Sequence, residues 1–76
     1  MAHFLLIYDR VAGQLVRQEQ YDSGVEAMRA RFTAEIEFDG RDEIEVAALD
    51  AASEEDLRRT HGRYFLTLAE LADRLG

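Results

Sequence analysis

Apolar residues recur along this chain in two different rhythms. Residues 3 to 9, HFLLIYD, hold an unbroken apolar run from Phe4 to Tyr8. A short run of this kind, rich in β-forming side chains and closed by a turn residue, predicts a strand buried on both faces. Asp9 and Gly13 mark the turn, the aspartate opening it and the glycine taking a positive φ. LVRQEQY, residues 15 to 21, is apolar mainly at its ends. It predicts the outer strand of a hairpin, with its charges guarding an edge.

At Ser23 the rhythm changes. SGVE matches a capping box, in which the serine hydroxyl accepts from a backbone N–H and Glu26 reaches back. Val25, Met28, Phe32 and Ile36 follow at spacings of three, four and four, one stripe on a helix over about 24 to 38. Arg29, Arg31 and Glu35 fall away from that stripe, and Gly40 supplies the positive φ that commonly ends a helix.

EIEVAALD, residues 43 to 50, alternates and then becomes small and apolar, which predicts a third strand. Ser53 precedes three carboxylates, a second helix start with negative charge at its N-terminal turn. Beyond it, Leu57, His61, Tyr64, Leu68, Leu71 and Leu75 are spaced 4, 3, 4, 3 and 4, an a/d pattern. The pattern predicts a long amphipathic helix from about 54 to 75, roughly 33 Å at 1.5 Å per residue. Gly62 is the weak point, since glycine in a helix interior costs about 1 kcal/mol relative to alanine. A helix that ends near His61 is the alternative; the continuous 4-3 phase favours the long one.

The element order is therefore β-β-α-β-α, a single small α+β domain over residues 1–76. A crossover between strands two and three predicts a three-stranded antiparallel sheet of order 2-1-3, with both helices on one face.

Composition narrows what holds such a chain together. A domain of 76 residues buries a small share of its surface, and it has no cysteine and only two histidines. An efficient core or oligomerisation remains. The N-terminal apolar run is too short and has the wrong flanks for an export signal, and no stretch approaches the roughly 20 apolar residues of a membrane span. A cytoplasmic location is the expectation. All nine basic residues are arginine, a usage associated with GC-rich bacterial genomes.

Charge is unevenly spread. Residues 35 to 56 carry ten carboxylates against the single Arg41, a net of −9; the remainder holds eight arginines and six carboxylates, a net of +2. This excess opposes phosphate backbones and anionic lipid surfaces, so neither nucleic acid nor membrane is an expected partner. A basic protein surface is the charge-complementary alternative, as for an acidic antitoxin or inhibitor.

RRTHGRYF, Arg58 to Phe65, is the one basic cluster. A functional reading makes His61 a base or ligand, with Arg58 and Tyr64 beside it for an anion. A structural reading makes the arginines a solvated face, Glu54–Arg58 and Glu55–Arg59 being favourable i,i+4 pairs, and it is the stronger one. DGRDE, Asp39 to Glu43, departs from the alternating pattern of a calcium loop and reads as a solvated turn. No metal or other cofactor is expected, and no catalytic signature is present.

LTLAELADRLG, Leu66 to Gly76, resembles the opening helix of many bacterial helix-turn-helix domains. No recognition helix follows it here, so no base-reading element comes with the resemblance. The sequence thus points to a non-enzymatic interaction module, homo-oligomeric through Leu57, His61, Tyr64, Leu68, Leu71 and Leu75. The alternatives are an acidic cover for a basic partner and a ligand site at His61, Arg58 and Tyr64.

Overall fold

The computed structural model describes residues 1–65. Strands β1 (Ala2–Asp9) and β2 (Gln14–Tyr21) form a hairpin, helix α1 (Gly24–Glu37) crosses over, and β3 (Ile44–Ala51) follows. Helix α2 (Glu54–Thr60) and a 3₁₀ turn, Gly62–Tyr64, complete the described chain. The sheet is antiparallel with order β2-β1-β3, as its sequence predicts.

β1 occupies the centre because its residues are apolar on both sides. Phe4, Leu5, Leu6 and Ile7 are all 1% exposed or less. Burial on both faces requires cover on both faces, and this corrects the expectation of helices on one. α1 closes the face of Leu5 and Ile7 with Ala34, while Leu57 of α2 and Tyr64 of the 3₁₀ turn close the face of Phe4, Leu6 and Tyr8.

Turn chemistry follows the sequence. Asp9 Oδ1 accepts from the backbone N–H of Val11 and Ala12, each at 2.9 Å. Gly13 and Gly40 take φ of 67° and 82°, the left-handed region that favours glycine. Ser23 Oγ accepts from Glu26 N–H, and Ser53 Oγ from Asp56 N–H, each at 3.1 Å. One irregularity breaks the hairpin: Ile7 pairs with Arg17 but Tyr8 with Leu15, leaving Val16 as a bulge residue. The bulge turns Leu15 toward the core of the α2 face and leaves Val16 exposed.

The second correction concerns the C-terminal helix. α2 ends at Thr60, because His61 leaves the helical region at φ −124°, ψ 44°. Thr60 Oγ1 donates back to Asp56 O at 2.9 Å, and the 3₁₀ turn starts at Gly62. The break removes the cost of glycine in a helix interior and brings Tyr64 onto the sheet. The predicted continuation to residue 75 lies outside the described residues, as do Leu68, Leu71 and Leu75. No helix among the described residues is long and apolar enough to cross a membrane.

Candidate functional site

The RRTHGRYF stretch resolves into separate structural tasks. Arg58 donates to Glu54 at 3.1 Å, and its guanidinium stacks 4.7 Å from the centre of the Phe65 ring. Arg59 pairs with Asp56, one turn earlier. His61 ends α2, its backbone N–H donating to Leu57 O at 2.8 Å. Leu57 and Tyr64 are 0% and 5% exposed, packed within the chain's own core. Arg58 and Tyr64, two of the three residues that a ligand would need, thus engage different partners.

Tyr64 belongs to a cluster that the sequence did not reveal. Its ring meets Tyr8 edge-on, with centroids 5.4 Å apart at 89°. Its hydroxyl donates to Glu45 Oε2, which Arg63 also reaches at 2.8 Å. Arg10 approaches the other carboxylate oxygen at 3.3 Å. The Tyr64 hydrogen bond holds the Glu45 carboxyl below its ordinary value, with Arg63 and Arg10 adding to this against a smaller burial effect. Burial, then the Glu45 bond and charge, push the Tyr64 phenol up. Arg10, Glu45, Arg63 and Tyr64 lie 18 to 54 positions apart, except for the last two, so no local motif announces them.

Beside this cluster lies an open hollow of about 540 Å³, bordered by Arg10, Phe38, Asp39, Arg41, Ile44 and Glu45. Its cations are engaged: Arg10 with Glu45, and Arg41 with Glu43 at 2.8 Å and with the Phe38 ring. The DGRDE turn forms part of this rim. Among the described residues no group of three or more metal-ligating side chains converges.

The acidic segment is equally committed. Of its ten carboxylates, Glu35, Glu37, Glu43, Glu45, Glu54 and Asp56 pair with arginine, and Asp50 with His3 at 2.7 Å. Among the described residues Asp39, Asp42 and Glu55 have no such pair, so the segment presents far less free negative charge than its composition suggests.

The orientation of α1 is set by its small residues. The stripe of Val25, Met28, Phe32 and Ile36 exists, but it faces out: these residues are 64%, 48%, 62% and 77% exposed. The inner side of the helix is made of alanines, Ala27 at 4% and Ala34 at 0%, with Ala30 packed beside Leu5 and Ile7. On a helical projection these alanines lie opposite the large apolar residues. α1 therefore has two apolar faces, a small one on the sheet and a large one in solvent.

Comparison with known protein families, curated proteins and solved structures finds no match to this chain.

Proposed function

We propose that this chain is a small acidic, non-enzymatic interaction module that works as a homo-oligomer. One observation carries the reading: a helix of a very small domain turns four large apolar side chains outward. Contiguous exposed apolar surface of this kind marks an interaction site more often than a free surface. A second copy is the occupant that needs no further component. The C-terminal leucines Leu68, Leu71 and Leu75 remain candidate additions to that contact.

This reading is preferred to an acidic cover for a basic partner, because six of the ten carboxylates in the acidic segment already pair with an arginine of the chain, and Asp50 is hydrogen-bonded to His3. It is preferred to a ligand site at His61, Arg58 and Tyr64, because Arg58 and Tyr64 are held by Glu54 and Glu45. Sedimentation equilibrium at micromolar concentration tests it. The wild type sediments as an oligomer, and Phe32→Glu weakens association about ten-fold or more with an unchanged far-UV circular dichroism spectrum. A monomeric wild type overturns the reading.

A further inference from the structure

The two edges of the sheet are built differently. β2 carries Arg17, Gln18, Glu19 and Gln20 in its centre and a bulge at Val16, which are devices that discourage strand pairing. β3 has neither. Its central residues Val46, Ala47, Ala48 and Leu49 are uncharged, small or apolar, and its pairing with β1 runs without a shift in register. The carboxylates at its ends are already engaged, Glu45 by Arg10 and Arg63, and Asp50 by a hydrogen bond with His3.

Backbone polarity at this edge follows from the ladder. Arg10 N–H donates to Glu43 O at 2.8 Å, in line with the Asp9–Ile44 register. In an antiparallel ladder alternate residues bond to alternate sides. Glu45, Ala47 and Leu49 therefore bond inward to β1, and Val46 and Ala48 direct their N–H and C=O groups to the edge that no strand among the described residues covers.

We infer that β3 pairs edge to edge with β3 of a second copy, antiparallel about a two-fold axis at Ala47, extending the sheet to six strands. This rests on the homo-oligomer proposed above and specifies its geometry. An axis at Ala47 sets Val46 of one copy against Ala48 of the other, so that their outward backbone groups bond reciprocally. Ala47 then meets its own mate as a non-hydrogen-bonded pair, where a methyl group fits the close approach.

α1 supplies independent support through its charges. The flank of α1 nearest β3 carries Arg31, in the hollow shared with Ala48, and Glu35, in the hollow shared with Val46. Ala47 thus lies at the level midway between Arg31 and Glu35. A two-fold axis there sets the two α1 helices antiparallel and places Arg31 of each near Glu35 of the other. Within one chain these two side chains pair at 3.0 Å and remain 43% and 44% exposed, free to share a second partner. The same axis turns Met28, which borders the hollow with Arg31 and Ala48, toward the partner's α1 and covers the near edge of the outward stripe.

The chain has no cysteine, which allows a direct test. Ala47→Cys places two thiols across a non-hydrogen-bonded antiparallel pair, about 4.5 Å apart at Cα and within reach of a disulfide. Mild oxidation converts it to a covalent dimer, whereas Gln20→Cys on the opposite edge stays monomeric under the same treatment. Ala48→Pro removes an outward N–H and leaves the β1 ladder intact. It weakens association about ten-fold or more with retained circular dichroism. Arg31→Glu also weakens association, and adding Glu35→Arg restores it.

If the wild type associates but Ala47→Cys gives no covalent dimer and Ala48→Pro changes nothing, the edge pairing is wrong and the homo-oligomer stands. If Ala48→Pro unfolds the chain, the Ala47→Cys crosslink alone decides. A monomeric wild type removes both.

Discussion

The hydroxyl of Tyr64 donates to the carboxylate of Glu45, nineteen residues earlier on the edge strand. This bond ties the 3₁₀ turn after α2 to β3, while the same ring packs edge-on against Tyr8 of β1. A single side chain thus holds the last described element to two strands of the sheet.

Tyr64→Phe keeps the ring and removes the hydroxyl. Hydrogen bonds to charged groups contribute about 1.5–3 kcal/mol, and Glu45, with its side chain 20% exposed, belongs near the lower end. The expected loss is about 1.5 kcal/mol, a fall of about 6–12 °C in Tm for a domain of this size. Calorimetry on the two proteins checks it.

The same pair makes stability depend on pH in both directions. The Glu45 carboxyl is held below its ordinary 4.5, chiefly by Tyr64. Its contribution is present above that unfolded value and is lost as pH falls through the folded one. Tyr64 is raised above its ordinary 10.0, chiefly by burial. Its contribution is present below 10.0 and is lost as pH rises through the folded value. Urea midpoints across the pH range should decline at both ends, with Glu45→Gln flattening the acid limb. An acid limb unchanged in that variant assigns the effect elsewhere, to Glu43, Glu54 or Asp56, which their arginines also lower.

The two faces of α1 respond oppositely to substitution. Ala34 is fully buried beneath Leu5 and Ile7, so Ala34→Leu overpacks the contact and costs about 1–3 kcal/mol. Phe32→Glu lies in solvent, and its effect on monomer stability stays within about 0.5 kcal/mol. Denaturant unfolding of both variants at low protein concentration measures the contrast.

Two glycines separate conformational need from position. Gly40 has φ +82°, and Gly40→Ala is strained although its surroundings are open, with an expected loss of about 1 kcal/mol. Gly62 has open space and no positive φ, so Gly62→Ala is tolerated within about 0.5 kcal/mol. Equal losses at the two sites would contradict this account.

Much of the sheet was legible because its signals are local. The apolar run Phe4–Tyr8 specified a doubly buried strand, and Ser23 and Ser53 marked two helix starts. Orientation was not legible in the same way. The spacing of Val25, Met28, Phe32 and Ile36 correctly describes one face of a helix, but periodicity does not say which of two apolar faces meets the sheet. Ala27, Ala30 and Ala34 contribute little to a hydrophobic pattern, yet they allow close approach of helix to strand. At the C-terminal end, the phase from Leu57 to Tyr64 reflected burial on one sheet face, and both a continuous helix and a broken one satisfy it. The Glu45–Tyr64 cluster depends on strand register, which a linear reading does not hold.

The bulge at Val16 has a consequence for how far assembly can proceed. In the pairing proposed above each copy has a valence of one: among the described strands β2 is interrupted and charged, and β3 alone is suited to receive a strand. Pairing through β3 consumes that valence in both copies, and the product presents β2 at each end. Growth by strand addition then terminates at two chains rather than continuing into a filament.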